Sequence, residues 1–329
     1  DFYSQFEKIE YSSIEEIINE KLSQYYLKHI EHNDKVIVAA DQHHNDMINE
    51  VFDLKNLCFS VFTQRNRTLD ESILQSISQA QYCIVDTLEN EQHIKNFIKN
   101  HDEVHHFSLM RITPFDAQTL PNVSSQLYET NIGVWIDSLN EEKLKELVNL
   151  LIQYSVEREN IRLHLLTRKD VADIPEWLSY KIENANEQLN KDGEQLSLEV
   201  RDILETEIEE IEYIKLVFVP FEEHLMKEIS QLRLIIDLGK EPDLYLQISS
   251  ISVGIPQINR LKTDYVDHKL NGLIINDMSE LITAMDFYLL NLKNWNYSLA
   301  HAIKLSEKFS SSKIITQLNH LIEGENDGT

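Results

Sequence analysis

Short apolar runs alternate with segments whose apolar residues recur at helical spacing, and this alternation predicts parallel sheets with connecting helices. The first third of the chain shows the pattern most clearly. Its predicted strands are Lys35–Ala40, Leu57–Thr63, Gln81–Thr87 and Glu103–Met110, and its predicted helices are Asn45–Phe52, 69–79 and Glu89–Lys99.

The run Arg111–Gln126 interrupts this pattern, because it holds two prolines and few periodic apolar residues. We interpret it as an inter-domain linker. The alternation then restarts. The predicted strands are Thr130–Asp137, Ile161–Thr167, Tyr213–Pro220, Leu232–Leu238, Asp243–Ile248, Ile255–Ile258 and Leu273–Ile275, and the predicted helices are Asn140–Val156, Met278–Leu292 and Trp295–Phe309, before a polar tail predicted to be disordered.

An acidic stretch, Glu183–Glu212, lies between two strands of the second half. Its apolar residues Ile203, Leu204, Ile208 and Ile211 recur at helical spacing. The stretch predicts a long solvated helix packed on the sheet by one apolar stripe. The alternative is an acidic face that binds a partner protein.

These elements predict an α/β protein with two Rossmann-like domains in the arrangement of two-domain glycosyltransferases. We divide the chain into an N-terminal Rossmann-like domain over 1–110, a linker over 111–128, a C-terminal Rossmann-like domain over 129–285, and terminal helices with a tail over 286–329. The chain opens at Asp1 rather than at a methionine, and we expect the N-terminal domain to be incomplete.

Composition restricts the function classes. The formal net charge of −26 disfavours binding to nucleic acid or to anionic lipid, and it permits a basic protein partner. Cys58 and Cys83 lie in apolar strands, which indicates reduced core thiols and a cytoplasmic location. We find no apolar run long enough to cross a bilayer, so we expect no direct membrane insertion.

Two polar clusters in the first half are candidates for chemistry. His43 and His44 follow a strand and suggest a metal-dependent hydrolase, but adjacent residues of an extended segment point to opposite sides. A polar loop therefore remains the favoured interpretation, and the pair His105-His106 is predicted to be structural. Arg111, Thr113 and Asp116 follow another strand and are candidates to line an inter-domain cleft; a salt bridge in the linker is the alternative.

The segment from Asp243 to Ile258 is the most informative. It contains Gly254 before a strand with a proline, and an Asn-Gly turn follows at Asn271. This order resembles the donor site of two-Rossmann glycosyltransferases, in which a short helix carries a glutamate that holds the donor ribose. Ser249 stands at that position here, so we predict Ser249, Ser250 and Gly254 as cleft-lining residues without a catalytic role.

The sequence offers little else for binding a nucleotide sugar. Its 7 glycines form no phosphate-binding loop of the G-x-G-x-x-G or Walker type. Lys215 and Arg233 lie in or beside strands and cannot be assigned to a diphosphate. We therefore predict no catalytic residue, no cofactor and no metal.

Several segments resemble one family more closely. Arg111–Asp116 (RITPFD), Arg233–Asp237 (RLIID), Pro242–Tyr245 (PDLY), Ile251–Ile258 (ISVGIPQI), Thr263–Val266 (TDYV) and Leu292–Leu299 (LKNWNYSL) are similar to the first accessory secretory protein of the accessory Sec system. The likeness is good from Arg111 to Phe309 and thin before that. One departure is Ala117-Gln118-Thr119, where the family pattern has an arginine and a glycine-containing loop.

The resemblance implies a non-catalytic, glycosyltransferase-like subunit that assists the export of serine-rich repeat adhesins. It implies as partners the second and third accessory secretory proteins, a dedicated SecA-like motor ATPase and channel, and the adhesin itself. It also implies a cytoplasmic protein, peripheral at the membrane through the translocase. A working glycosyltransferase that modifies the same adhesin is the alternative.

Overall fold

The computed structural model describes residues 10–40, 45–62, 69–100, 107–113, 116–158, 160–204 and 211–323. The chain forms two compact units, one comprising residues up to Asp116 together with those from Ser311 onward, and the other running from Ala117 to Ser310. Neighbouring strands run parallel in both sheets. The predicted α/β class is therefore confirmed.

The first unit is built on a sheet whose strands lie in chain order, β1-β2-β3-β4. Right-handed crossovers between sequential strands place their helices on one face, and apolar residues such as Ile48, Ile73 and Ile94 from the three crossover helices join one core cluster there. The elements in chain order are α1 (Ile14–His29), β1 (Val36–Ala39), α2 (Asn45–Val51), β2 (Leu57–Val61), α3 (Glu71–Gln79), β3 (Tyr82–Val85), α4 (Leu88–Lys99) and β4 (Ser108–Arg111).

The second unit has a larger sheet in the order β10-β9-β8-β5-β6-β7. The direction of winding reverses between β5 and β8, so that pair is the topological switch point at which open α/β sheets bind ligands. The elements are β5 (Thr130–Trp135), α5 (Glu141–Val156), β6 (Ile161–Thr167), α6 (Glu176–Leu204), β7 (Ile214–Phe218), α7 (Glu222–Ile229), β8 (Leu234–Asp237), α8 (Leu244–Val253), β9 (Gln257–Asn259), β10 (Gly272–Ile274), α9 (Leu281–Leu289) and α10 (Leu292–Ser306).

Successive residues along a strand of the second sheet pack into two separate hydrophobic cores, one on each face of the sheet. On β8, Leu234 and Ile236 pack with α5 and α9, whereas Ile235 packs with α7 and α8. This alternation follows from the two-residue period of a strand. The central strands β5, β6 and β8 are buried on both faces, which explains their continuous apolar runs in the sequence.

The last helix, α11 (Ser311–Glu323), belongs to the first unit. Its Leu318 and Leu321 pack on the face of the first sheet opposite α2–α4, against a cluster of Cys58, Tyr82 and Ile84. The first unit is thus assembled from two stretches of chain that are separated by the whole second unit.

The structure corrects several expectations. The predicted strand Asp243–Ile248 is wrong, because Leu244–Val253 is a helix capped by the Asp243 side chain. The predicted disordered tail is wrong over Ser311–Glu323, which is α11. Arg111, the first residue of the predicted linker, pairs with Val85 in β4, and the boundary between the two compact units falls between Asp116 and Ala117 along the chain.

Other elements differ in extent. Helix α1 was not predicted, because none of its side chains is fully buried and its apolar stripe is weak. The acidic stretch does form a helix, α6, which begins earlier than expected, at Glu176, and is described to Leu204. His43, His44, the pair His105-His106, and Ile208 lie outside the described residues.

Candidate functional site

The loops after β5 and β8 approach each other closely at the switch point of the second unit. A Cβ atom added to Gly239 would lie 2.2 Å from the Ser138 Oγ and 2.3 Å from the Ser138 Cβ. A Cβ atom never approaches another heavy atom this closely, so Gly239 is required by contact with the neighbouring loop. The two loops therefore leave no gap between Ser138 and Gly239.

A buried carboxylate lies beneath this contact. Asp237, the last residue of β8, is 1% exposed. It accepts hydrogen bonds from the Ser138 hydroxyl (2.9 Å), the Gly239 amide (3.1 Å) and the Asp243 amide (3.0 Å). Burial raises the pKa of Asp237 despite these donors. The side chain ties the loop after β5 to the loop after β8.

A second carboxylate holds the loop after β6. Asp137 accepts hydrogen bonds from the Thr167 hydroxyl (2.5 Å) and from the Arg168 amide (2.8 Å). The Arg168 side chain then forms an ion pair with Asp243, and its guanidinium lies 4.9 Å from the centre of the Trp135 ring. The cation that follows β6 is thus neutralised by a carboxylate.

The charges at the carboxyl ends of β5, β6 and β8 disfavour the binding of an anionic ligand. The network described above contains three carboxylates, on Asp137, Asp237 and Asp243, and one guanidinium, that of Arg168, which pairs with Asp243. A diphosphate needs cations or free amides where its charge lies. Here the amides of Gly239 and Asp243 are already donated to Asp237.

A small cavity of about 40 Å³ lies beside this network, at the carboxyl ends of β8 and β10 and the first turn of α5. Two cationic residues, Lys143 and Arg260, contribute to its wall, and Lys143 pairs with Glu146 at 2.7 Å. Sites for small molecules are usually about 300–1,000 Å³. The cavity is therefore far smaller than a nucleotide sugar.

The predicted residues of the Gly254 segment lie on or next to α8, which is buried on all sides. Ser249 is 5% exposed, and the Ser250 hydroxyl donates to the Leu246 carbonyl at 2.6 Å. Gly254 ends the helix with a φ of +77°, a left-handed conformation that favours glycine. Ser250 and Gly254 thus have structural roles within the second unit, and Ser249 is buried there.

Arg111, Thr113 and Asp116 lie in the first unit. The Arg111 Nε is 3.1 Å from a carboxylate oxygen of Glu91, and Thr113 is buried. Asp116 accepts a hydrogen bond from the Ser311 amide at 2.7 Å, at the first turn of α11. These three residues lie in the first unit and Ser249, Ser250 and Gly254 lie in the second; a cleft lined by all six stays a prediction.

The two cations considered for a diphosphate are engaged elsewhere. Lys215 lies 3.7 Å from Glu228, which also contacts His164. Arg233 stacks on Trp295 at 3.8 Å, and its carbonyl accepts a hydrogen bond from the Trp295 Nε1 at 2.7 Å. Both therefore have structural contacts within the second unit.

Among the residues that the structure describes, no group of three or more histidine, cysteine or acidic side chains is placed to hold a metal ion. Over the same ranges, no helix combines the length and the apolar character needed to span a membrane.

Sequence reasoning missed the residues that form the switch-point network. The available signal was an aspartate at the carboxyl end of two strands, Asp137 and Asp237, with a glycine two residues after the second. Asp237 and Asp243 also lie in two of the segments that resemble the family, Arg233–Asp237 and Pro242–Tyr245.

Comparison with known proteins gives a consistent result. A family model described as accessory Sec system protein Asp1 matches residues 1–324. The accessory Sec system protein Asp1 of Staphylococcus aureus (strain NCTC 8325 / PS 47) is 39% identical over 328 residues, which are 100% of this chain and 62% of that protein. The Streptococcus gordonii protein of the same name is 30% identical over 320 residues, covering 92% of this chain and 58% of its own length. The chain thus spans less than two thirds of both relatives.

Solved structures share the fold. A chain of the glycosylation-associated Gap123 complex from Streptococcus agalactiae has a TM-score of 0.69 at 28% identity, covering 98% of this chain and 59% of that one. A chain of the Streptococcus pneumoniae complex of accessory secretory proteins 1, 2 and 3 has a TM-score of 0.73 at 22% identity, covering 99% and 60%. The pneumococcal O-GlcNAc transferase GtfA, solved with UDP and GlcNAc, has a TM-score of 0.61 at 14% identity, covering 93% and 59%. The last two likenesses show the fold alone.

Proposed function

The chain belongs to the family of accessory Sec system protein Asp1, and from this premise we propose that it acts as a non-catalytic, glycosyltransferase-like subunit of a bacterial accessory Sec export complex. Its substrate in this proposal is a glycosylated serine-rich repeat adhesin. The protein binds the adhesin's glycan or polypeptide in the cytoplasm and reaches the membrane through the translocase.

The observation that supports loss of transfer activity is the filled switch point. Contact between Gly239 and Ser138 occupies the place where an open α/β sheet binds its ligand, and the Asp237 carboxylate uses the amides that a phosphate would need. A transferase must stabilise the negative charge that develops on its leaving group. The three carboxylates of the switch-point network and its paired arginine are unsuited to this task, and the cations Lys143 and Arg260 lie at a cavity of about 40 Å³ that is far smaller than a nucleotide sugar.

The position of Ser249 supports the same conclusion. In the glycosyltransferases that the segment resembles, a glutamate at this position holds the donor ribose. A serine hydroxyl cannot accept hydrogen bonds from two ribose hydroxyls as a carboxylate does. Ser249 is also 5% exposed, which leaves little of its side chain accessible to a ligand.

The proposed partners are the second and third accessory secretory proteins, together with the SecA-like motor ATPase. Support comes from the Streptococcus pneumoniae structure, which contains accessory secretory proteins 1, 2 and 3. Similarity to the Gap123 complex adds to it. In this proposal the fold serves as a scaffold for assembly.

The alternative is an active glycosyltransferase that modifies the same adhesin. Its support is the likeness in fold to GtfA, which was solved with UDP and GlcNAc. The cations Lys143 and Arg260 beside the small cavity would be its first candidates for donor binding. This alternative requires the switch-point loops to separate before a nucleotide sugar enters.

Calorimetry with UDP-GlcNAc and UDP-glucose separates the two. The complete protein is titrated beside a Lys143→Ala variant, which removes a cation from the cavity wall. We expect no heat of binding at micromolar concentrations for either protein. Micromolar binding to the wild type that the variant loses would refute the non-catalytic proposal and place the donor in the second unit.

The assembly role is tested by co-expression. The complete protein, with a purification tag, is produced together with the second and third accessory secretory proteins. We expect a complex that survives size-exclusion chromatography. Elution of the tagged protein alone would contradict the proposed role.

A further inference from the structure

Helices α9 and α10 meet at an exposed apolar corner of the second unit. Its members are Phe287, Leu290, Leu292 and Tyr297, which are 42%, 68%, 59% and 52% exposed. Phe287 lies in the last turn of α9, Leu290 is the C-cap residue of that helix, and Leu292 begins α10 directly after Asn291. We call these four residues the α9–α10 corner. Four large apolar side chains are thus exposed within eleven residues of chain, and exposed apolar surface marks interaction sites in soluble proteins when it is contiguous.

The corner is held in a fixed geometry. The Asn291 side chain caps α10 by accepting hydrogen bonds from the Lys293 and Asn294 amides, at 3.1 and 3.3 Å. The Asn294 side chain donates back to the Phe287 carbonyl at 3.0 Å. Trp295, four residues after Asn291, is buried. Its ring stacks on the Arg233 guanidinium, and its Nε1 donates a hydrogen bond to the Arg233 carbonyl. A surface that is ordered before binding loses less entropy when a partner docks.

Charge distinguishes this surface from the rest of the chain. The protein carries 56 acidic residues, yet the 26 residues of Leu281–Ser306 include Asp286 as their one acid. Asp286 is engaged by the Tyr154 hydroxyl at 2.8 Å and by Arg158 at 3.2 Å. The charged side chains exposed on α10 are the lysines Lys293 and Lys304. Depletion of acids together with exposed aromatic residues is typical of the core of a protein–protein interface.

From this combination we infer that the α9–α10 corner docks on another subunit of the export complex, through an apolar groove on that subunit whose rim carries carboxylates. The inference rests on the proposed assembly role. The apolar groove receives Leu290, Leu292 and Tyr297, and the rim carboxylates face Lys293 and Lys304. A second copy of this chain is a poor occupant, because two molecules with a net charge of −26 repel each other.

Binding of the complete protein to the accessory secretory proteins 2 and 3 tests the inference. The double variant Leu290→Ser/Tyr297→Ala truncates the corner, and we expect its Kd to rise by about thirtyfold or more, as for a central interface residue. Tyr180→Ala is the matched control, since Tyr180 is 69% exposed on α6 in the same unit. The control should change the Kd by less than about threefold. Melting temperatures of both variants check that the fold is intact.

Charge reversal supplies an independent measurement. Lys293→Glu/Lys304→Glu should weaken binding most at low salt and flatten the dependence of Kd on ionic strength. The control Lys169→Glu/Lys191→Glu reverses two exposed lysines elsewhere in the second unit and should leave the Kd nearly unchanged.

The outcomes separate the inference from its premise. If the wild-type protein binds neither accessory protein, the proposed assembly role fails. If wild type and corner variants bind equally well, the role stands and the inference is overturned. If the corner variants change only self-association of the protein, measured by sedimentation without partners, the occupant is a second copy and the inference is again overturned.

Discussion

Replacing Gly239 with alanine forces the two loops of the switch point apart. The new Cβ would lie 2.3 Å from the Ser138 Cβ, an atom that cannot move without its backbone. The Ser138 hydroxyl would also leave Asp237, to which it donates at 2.9 Å. The substitution therefore combines a steric clash with the loss of a hydrogen bond to a buried carboxylate.

The magnitude follows from these two contributions. Overpacking a closed site costs about 1–3 kcal/mol, and loss of the hydrogen bond costs about 1–3 kcal/mol more. A total of about 2–6 kcal/mol is a large part of the roughly 5–15 kcal/mol by which domains are stable. For a unit of this size the melting temperature should fall by roughly 4–24 °C.

Urea unfolding and calorimetric melting measure the effect, and Gly133→Ala is the control. A Cβ at Gly133 would meet the Cδ1 atoms of Leu232 and Ile235, at 2.5 and 2.7 Å, which are flexible ends of side chains. The control should cost less than Gly239→Ala. The double variant Gly239→Ala/Ser138→Gly removes the clash. Its loss of unfolding free energy should therefore be smaller than the sum of the losses in the two single variants, by at least about 1 kcal/mol.

The reasoning is refuted by either of two results. One is a Gly239→Ala protein as stable as the wild type. The other is strict additivity with Ser138→Gly, since the loops would then not be in contact. Either result would reopen the switch point to a ligand and strengthen the case for an active transferase.

Three further predictions follow from buried side chains. Burial raises the pKa of Cys58 to about 12 and also raises the pKa of Cys83, so neither thiol should react with a disulfide reagent at about pH 8 until the protein unfolds; labelling of the native protein would contradict this. Burial raises the pKa of Asp237, so the folded state keeps this proton to a higher pH than the unfolded chain. The free energy of unfolding of the wild type, relative to that of Asp237→Asn, should therefore fall as the pH rises above about 4. Urea unfolding of both proteins across this pH range measures the difference, and an increase with pH would contradict the prediction. Ser249→Glu should lower the melting temperature, because it buries an unpaired carboxylate, and should yield no transfer of radiolabelled sugar to an adhesin acceptor; measurable transfer would show that one residue separates the protein from a working enzyme.

The strands were predictable because their burial is continuous. All five residues of Leu57–Val61 are buried, as are the last five of Thr130–Trp135, and such runs stand out against the polar helices around them. Helices with one buried face, such as Glu141–Val156, were predictable from their spacing and from the Asn140 cap.

Helix α8 shows where this approach fails. It is buried on all sides, so its apolar residues follow neither the helical nor the strand period. Two of its serines satisfy their hydroxyls within the helix, Ser250 on the Leu246 carbonyl at 2.6 Å and Ser252 on the Ile248 carbonyl at 2.9 Å. The segment therefore has no polar face, and the pattern of its first part predicts a strand although the chain is helical there.

The switch-point network could not have been predicted for a different reason. The bond from Ser138 to Asp237 joins residues 99 positions apart, and the contact of Gly239 depends on which loops become neighbours. Strand order decides that, and hydrophobic periodicity carries no information about strand order.

The place of α11 has a consequence for synthesis on the ribosome. Asp116 and its hydrogen-bond partner Ser311 are 195 positions apart, and at about 5–20 residues per second that interval lasts roughly 10–40 s. During this time the nascent first unit lacks the helix that packs on Cys58, Tyr82 and Ile84. The face of the first sheet that Leu318 and Leu321 cover in the folded protein therefore stays exposed until the rest of the polypeptide emerges. The first unit is therefore completed last, and a nascent chain halted before residue 311 would present an apolar sheet face to chaperones.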